Sequence, residues 1–510
     1  VSGSPRAVRP HVVVVGDVVL DRDVDGTVER LCPDAPAPVL DVTRVRESPG
    51  GAGLTALLVA ASGARTTLVA PLADDDAGTR LAEDLRREVA VVALPHVGGT
   101  RRKVRIRSGG QSLVRVDDGG PGAPGAVDAD AVRAVLADAD VVLVSDYGAG
   151  VTQDPALREV LAEAARGTRV VWDPHPRGGA PVAGAALVTP NLSEARAAAG
   201  GGGGGTAGGT APQHPDELAA ALRASWEARA VAVTAGSAGA FVAGGGDAQY
   251  VPAVPVAGGD PCGAGDRFAA TAAVALASGA TVTEAVGRAV ADAGAWVAAG
   301  GAEAFRRERD EETGAPPAAA DVTATGPVAE SADAAPTDGT DAVPTPDDVE
   351  ALAARLRRGG RRLVATGGCF DIVHAGHVAT LQAARRLGDA LVVLMNSDAS
   401  VSRLKGPTRP VVTAGDRARV LEALDCVDAV VVFEEDDPGA VLARLQPDVW
   451  AKGGDYGGTE LPEAATVRAH GGRIVLLPYL DGRSTTSIIE RSGRSRAQHV
   501  PAAVGEKEAV

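Results

Sequence analysis

Cysteine and aromatic side chains are scarce in this 510-residue chain, which has four Cys, one Met and only 3% Phe, Trp and Tyr. Cys32, Cys262, Cys369 and Cys426 are far apart and form no CxxC pair, which argues against a disulfide framework or a structural zinc site and for reduced thiols in a cytosol. Positive charge is also in deficit: 50 Lys and Arg face 66 Asp and Glu, a net charge of -16. Non-specific binding to nucleic acid or to an anionic membrane needs a basic face, so neither partner is expected. Phosphate ligands would need local cationic pockets. No apolar run approaches the roughly 18–20 residues that span a bilayer, and Val1 to Arg9 is short and polar. A cytoplasmic protein is the expectation.

What is present is 45% hydrophobic residues and 65 Gly, so that Ala, Val and Leu must fill the cores. Valine-rich runs such as Val141–Val144, Val170–Trp172 and Val231–Thr234 alternate with segments of helical period through about Gly300. Short apolar runs bounded by turns indicate strands buried on both faces, hence a parallel sheet covered by helices. The pattern dissolves between Ala302 and Pro346 into Ala, Pro, Thr, Asp and Glu, which reads as a flexible linker. It resumes in Arg362–Thr366, Ala390–Asn396, Ala429–Phe433, Val449–Lys452 and Ile474–Leu477. The expected plan is α/β throughout: a domain over residues 10–301, the linker 302–346, a smaller domain over 347–492 and a tail. Gly200–Gly205 reads as a surface loop insertion.

The chemistry of the first half concentrates in Asp260-Pro-Cys-Gly-Ala-Gly-Asp266, directly before a helix-forming run. Small residues at a helix start let backbone N–H groups converge on an anion, and the helix dipole adds to the attraction. Asp266 there can take the proton of a sugar hydroxyl that attacks a γ-phosphoryl group. From Gly-Ala-Gly-Asp alone, an N-cap aspartate reads equally well. Further pieces occur in order: Gly16-Asp-Val-Val-Leu-Asp21, Pro49-Gly-Gly51, Ser145-Asp-Tyr-Gly148, Asp173-Pro174, Thr189-Pro-Asn-Leu-Ser-Glu194 and Val233-Thr234. With them the stretch from Val12 to Gly300 resembles the ribokinase-like sugar kinases, and within them the heptose-phosphate kinases. The resemblance implies that Asp266 is the catalytic base and that Gly263, Ala264 and Gly265 form the anion hole. It places Asp17, Asp21, Gly50 and Gly51 at the sugar, Lys103 and Arg105 near its phosphate, and Asn191 and Glu194 around Mg²⁺ beside ATP. Thr234 and Gly239 would meet the nucleotide. Taken alone, Asn191 and Glu194 read as a helix cap and its third residue, and Lys103 and Arg105 as a solvated strand face. Three positions depart from the family: Leu54 stands where an asparagine contacts the sugar, and Ala149 and His175 stand where lysines are usual, which moves phosphate neutralisation towards Arg177 or weakens it.

The second half carries Thr366-Gly-Gly-Cys-Phe-Asp-Ile-Val-His374-Ala-Gly-His377 between a strand and a helix. Two imidazoles around one glycine at a helix start can both donate to a triphosphate. Metal binding is the competing reading, and the absence of a third ligand at suitable spacing argues against it. With Asn396-Ser-Asp398, Arg403-Leu-Lys405, Arg409-Pro410, Lys452-Gly-Gly-Asp-Tyr456 and Arg483-Ser-Thr-Thr-Ser487, residues 362–490 resemble the Rossmann-like nucleotidyltransferases that include glycerol-phosphate cytidylyltransferases and heptose 1-phosphate adenylyltransferases. The resemblance implies that His374 and His377 stabilise the reacting phosphorus and that Lys405, Arg409 and Lys452 contact phosphates. Gly368, Phe370, Ser484, Thr485 and Thr486 would border the triphosphate. Both halves in this order resemble the bifunctional heptose 7-phosphate kinase/heptose 1-phosphate adenylyltransferases, which implies ATP, Mg²⁺ and a sugar phosphate as ligands and a separate sugar-bisphosphate phosphatase. A homodimer is a further expectation. Another sugar phosphate, CTP in place of ATP, or a nucleotide sensor with an inactive kinase half are the alternatives.

Overall fold

The computed structural model describes residues 9–33, 37–109, 111–119, 123–201, 214–312, 348–454 and 461–477. The chain divides into two compact units, Val1–Gly246 with Val251–Ala329, and Asp247–Tyr250 with Glu330–Val510.

In the first unit the strands His11–Gly16, Val141–Ser145, Arg169–Asp173, Leu187–Val188 and Val231–Thr234 lie side by side in parallel, with Arg65–Pro71 and Ala90–Leu94 continuing beyond His11–Gly16. The reason these runs are continuously apolar is visible in one strand. Val12 and Val14 pack on one face with Leu57, Leu58 and Ala269, whereas Val13 and Val15 pack on the other with Leu157, Leu161 and Trp172. Each valine is fully buried, so alternation of apolar and polar residues has no place there. The strands expected from sequence in both units are present, with ends shifted by a residue or two.

A second, antiparallel-edged sheet was not expected. Its order is Pro38–Gly51, Val18–Leu31, Arg102–Ser108 and Gln111–Asp118. Its strands mix charged and apolar residues, which hides them from a search for buried runs. Register sets the chemistry of one face: Asp21 lies opposite Ser48 and Lys103, and Asp23 opposite Arg46 and Arg105. Side chains of paired residues share a face, so acids and bases are interleaved there rather than solvated.

Two expectations about boundaries are corrected. The segment from Ala302 that composition assigns to the linker is a helix, Gly301–Glu312, in which Ala302, Ala304 and Arg306 are buried. Its polar composition hid it: Ala302 and Phe305 pack on the core and Arg306 pairs with Asp21 and Asp23, but most of its other residues are charged. The glycine run does not begin as a loop either: Gly200 and Gly201 finish the helix Leu192–Gly201, and the remaining glycines lie outside the described residues.

The second unit has parallel strands in the order Ala429–Phe433, Ala390–Asn396, Leu363–Gly368, Val449–Gly453 and Arg473–Leu477. Leu363, Leu394, Trp450 and Phe433 lie in one apolar cluster with Leu352, Leu442 and Leu445 of the flanking helices. No helix among the described residues is long and apolar enough to cross a membrane.

Candidate active sites

In the first unit, the polar residues of interest follow the carboxyl ends of the parallel strands, where open α/β sheets expose a crevice. Asp17 follows His11–Gly16, Asp146 follows Val141–Ser145, Asp173 ends its strand, and Asn191 bridges to Thr234. Opposite them, Gly263 turns the chain with φ 77° into the helix Ala264–Ala277, whose first turn contains Asp266. That backbone conformation suits glycine and strains other residues. Gly265 is exposed and an added Cβ there would meet nothing within 4 Å, so space lies open over the first N–H groups of the helix.

Asp266 is buried and bound by two hydroxyls. Tyr147 Oη donates to Oδ1 at 2.6 Å and to Oδ2 at 2.8 Å, and Thr55 Oγ1 donates to Oδ1 at 2.8 Å. Burial pushes the Asp266 carboxyl above its ordinary range, while the two hydroxyl bonds and Lys103 pull it back. Lys103 Nζ lies 5.9 Å from the centre of the Tyr147 ring. Tyr147 itself is held protonated: burial and then the Asp266 charge lift its phenol well above the usual value. The outcome is a desolvated carboxylate with fixed donors, suited to accept a proton.

Beside the helix start, a cavity of about 350 Å³ is lined by Thr234, Gly239, Ala253, Val256, Phe268 and Val297, and reaches Ala264 and Gly265. Its walls are mostly apolar and small, as a purine base requires. Gly239 has a structural reason as well, since an added Cβ would come within 2.1 Å of the Val251 carbonyl.

Asn191 and Glu194 do form a reciprocal cap, with Asn191 N–H donating to Glu194 Oε2 at 2.8 Å and Glu194 N–H to Asn191 Oδ1 at 3.0 Å. Burial raises the Glu194 pKa, and Asp146 adds to the rise. Asp146 is pushed up to about 6, mainly by burial. Burial, then Asp266, raises Asp173 well above the carboxylate range. Neighbouring carboxylates add to each of these rises.

Several residues expected at the sugar make contacts within the protein. Asp17 accepts from the N–H groups of Tyr147, Ala149 and Val151 at 3.4, 2.9 and 3.2 Å, so it fixes the 147–151 loop. Gly50 and Gly51 are required by close approach: a Cβ would fall 2.7 Å from Asp21 Oδ2 and 2.5 Å from the Asp17 carbonyl. Arg105 is already paired with Asp21 and Asp23 at 3.3 and 3.5 Å. The same two acids bind Arg306 at 2.5 and 3.1 Å. Arg306 was missed in the sequence, where it sits among residues of linker composition. Of the departures, Leu54 is buried, 3.3 Å from where a Gly263 Cβ would stand. His175 accepts from Arg177 N–H at 3.1 Å, and burial together with Arg177 lowers its pKa, leaving it neutral.

In the second unit, Leu363–Gly368 runs into a tight loop before the helix Ala375–Arg385. Phe370 and Ile372 adopt φ of 47° and 55°, a left-handed backbone uncommon outside glycine. An added Cβ on Gly368 would stand 3.3 Å from the Phe370 ring. His374 and His377 stack with ring centres 4.0 Å apart, and Phe370 lies 5.4 Å from His377. Burial, then His374, then Lys405 lower the His377 pKa to about 4. Its Nδ1 accepts the His374 N–H at 3.4 Å, so the ring is neutral and Nε2–H is a donor.

The helix Asp398–Lys405 ends at the exposed Lys405. Arg409 Nε donates to the buried Asp371 at 2.5 Å, and Asp371 also accepts from Val411 and Val412 N–H groups. Burial would raise the Asp371 pKa, but these partners outweigh it and hold the carboxyl below its usual value. Lys452 Nζ lies 3.1 Å from Glu463, which also accepts from Trp450 Nε1. Ser484, Thr485 and Thr486 lie outside the described residues. Sequence reading missed Arg417, which is 1% exposed. It donates to the carbonyls of Cys369, Asn396 and Val412 and to Asp398, tying the histidine loop to two neighbouring segments.

Comparisons agree with this division of labour. Residues 9–308 match the pfkB family carbohydrate kinases and residues 365–491 the cytidylyltransferase-like family. The chain is 49% identical to the bifunctional protein HldE of Streptomyces coelicolor over 96% of its length and 97% of that protein. It is 39% identical to the bifunctional protein HldE of Halorhodospira halophila, over 94% and 97% respectively. Among solved structures, the tetrameric inhibited form of Escherichia coli phosphofructokinase-2 is 19% identical, with a TM-score of 0.47, and spans 59% of this chain and 97% of that one.

Proposed function

The chain belongs to the pfkB family of carbohydrate kinases and carries a cytidylyltransferase-like unit behind the kinase, and from that premise we propose that it makes ADP-heptose in two separated steps. It is a sugar kinase and a nucleotidyltransferase in one chain. The first reaction phosphorylates D-glycero-D-manno-heptose 7-phosphate at C1 with ATP. The second transfers an adenylyl group from ATP to heptose 1-phosphate and releases pyrophosphate. The observation that carries the reading is the buried Asp266 carboxylate, held by two hydroxyls at a helix start beside an apolar cleft.

In the first step, the anomeric hydroxyl gives its proton to Asp266 while its oxygen bonds to the γ-phosphorus and ADP leaves. The N–H groups around Gly263, Ala264 and Gly265 neutralise charge growing on the transferred group. Asp17, Gly50 and Gly51 shape the sugar pocket, and Lys103 faces the sugar's own phosphate. Thr234 and Gly239 border the adenine cleft. The crowded oxygen donors suit a hard cation that keeps waters and shares ATP phosphates. Asn191 and Glu194 would hold Mg²⁺, which supplies charge neutralisation when bound.

In the second step, an oxygen of the sugar 1-phosphate attacks the α-phosphorus and pyrophosphate departs. His374 and His377 donate to the phosphoryl oxygens, and Lys405 draws pyrophosphate. Arg409 holds the adjoining loop through Asp371 and turns its remaining N–H groups to phosphate. Lys452, beside Trp450, and the backbone at Gly368 and Phe370 complete the pocket, with Ser484 to Thr486 as further donors. Alignment and charge neutralisation suffice, without a covalent enzyme intermediate.

The kinase product bears two phosphates whereas the second step takes one, so a separate sugar-bisphosphate phosphatase stands between them. Exposed Val42, Val45, Val114 and Val116 on the smaller sheet support a homodimer. The setting is the cytoplasm, where both nucleotides and sugar phosphates occur. Assays with ATP and CTP against a panel of sugar 1-phosphates and 7-phosphates test the reading. Turnover confined to heptose phosphates with ATP upholds it, and equal turnover with CTP or another sugar replaces it.

A further inference from the structure

Another cavity of the first unit is set apart from the nucleotide cleft and shares no lining residue with it. It measures about 260 Å³ and is walled by Arg46, Arg80, Arg87, Arg306, Arg309 and Ser48, with only Glu47 and Asp84 opposing. Five guanidinium groups converge there in a chain whose net charge is -16. Like charges gathered around so small a space repel unless something anionic offsets them.

Surrounding acids are paired with these guanidinium groups. Arg80 meets Glu47 at 3.5 Å, Arg87 meets Asp84 at 3.7 Å, and Arg309 meets Glu88 at 2.7 Å and Asp84 at 3.6 Å. Arg306 gives its two terminal nitrogens to Asp21 and Asp23. Two buried donors are nevertheless left over. Arg306 is 5% exposed and Ser48 is 7% exposed. Neither the Nε of Arg306 nor the Oγ of Ser48 has a hydrogen-bond partner among the described residues. A buried donor without an acceptor is costly, and both of these belong to residues that line one cationic cavity.

We propose that this arginine-lined cavity is a binding site for a phosphate monoester, with Arg306 Nε, Ser48 Oγ and Arg46 as its inner donors. A tetrahedral dianion offers oxygens in several directions to donors on the smaller sheet, the helix Asp76–Arg86 and the helix Gly301–Glu312 together. The cavity adjoins the face expected to meet the sugar: Arg46 and Ser48 lie opposite Asp23 and Asp21 in register, and Arg306 bonds both acids. The phosphate is either the distal group of the sugar substrate or a free effector anion. Only this choice of source rests on the sugar-phosphate reading.

Calorimetric titration of the full chain with inorganic phosphate, at constant ionic strength and with chloride as control, tests the site. Saturable binding is expected in the unaltered protein. Arg46→Gln and Arg306→Gln should each weaken it roughly tenfold or more, and Glu47→Gln, which removes an opposing charge, should tighten it. Melting curves establish that each variant is folded, and Arg46→Gln stands in if Arg306→Gln is not. Displacement of bound phosphate by heptose 7-phosphate, but not by the unphosphorylated heptose, identifies the distal group; retention against both identifies an effector, and either upholds the site. Absence of saturable binding in the unaltered protein, or equal binding in all variants, overturns it. Since the readout is not turnover, a chain that binds phosphate but fails to phosphorylate heptose would contradict the functional reading alone.

Discussion

Removing the Tyr147 hydroxyl tests how the kinase base is tuned. Tyr147→Phe keeps the ring and deletes donors at 2.6 and 2.8 Å from the two Asp266 oxygens, leaving Thr55 at 2.8 Å as the remaining hydroxyl partner. A hydrogen bond to a charged group contributes about 1.5–3 kcal/mol. At about 1.4 kcal/mol per pKa unit, its loss should raise the Asp266 pKa by roughly 1–2 units. The sign follows from the chemistry, because the hydroxyl stabilises the carboxylate and not the acid. The base works only when deprotonated, so the acidic limb of kcat/KM for sugar phosphorylation should move to higher pH by that amount. At high pH the rate should recover to within a few fold of the unaltered enzyme. The assay is ADP release from pH 5 to 10 with saturating ATP. An acidic limb that stays in place in a folded variant would refute the claim that Tyr147 sets the ionisation of Asp266.

Two further outcomes follow from the geometry. His377→Ala should lower adenylyl transfer by roughly 10²–10³, with a much smaller fall in ATP affinity, because a donor aimed at developing charge helps the transition state most; with His377 held to about 4, its protonation should contribute no loss of rate above about pH 5, and equal falls in affinity and turnover would demote it to a positioning group. A fragment ending just after Glu312 should keep kinase activity, whereas one ending before Gly301 should lose it, since Asp21 and Asp23 would lose Arg306; equal activity of the two fragments would dismiss the helix Gly301–Glu312 from the site.

Residues whose partners are near in sequence were legible from the chain alone. The turn into Asp266 and the His374 to His377 segment each carry their geometry within one strand-to-helix connection, so small residues and spacing reveal them. The buried strands were legible for the same reason, because a run such as Val12–Val15 is apolar at every position when both faces are covered. Partners brought from far away were not. Arg306 meets Asp21 across 285 positions, and nothing in its own helix, with its polar composition, announces a buried ion pair. Arg417 belongs to no motif of its own, yet it donates to the Cys369 and Asn396 carbonyls behind the histidine loop. Lys103 and Arg105 looked alike in the sequence, but register sets Arg105 against Asp23 while Lys103 faces Tyr147. The interleaved charges of the smaller sheet obscured it, since neither a buried-strand pattern nor a clean alternation describes a surface that pairs acids with bases.

The most direct test of two separate chemistries in one chain follows both reactions by ³¹P NMR in Asp266→Asn and in the unaltered protein. With heptose 7-phosphate, ATP and Mg²⁺, the unaltered protein should accumulate the 1,7-bisphosphate and the variant none; supplied with heptose 1-phosphate, both should form ADP-heptose and pyrophosphate at similar rates. Loss of both activities in a folded variant, or phosphorylation persisting without the Asp266 carboxylate, would contradict the account.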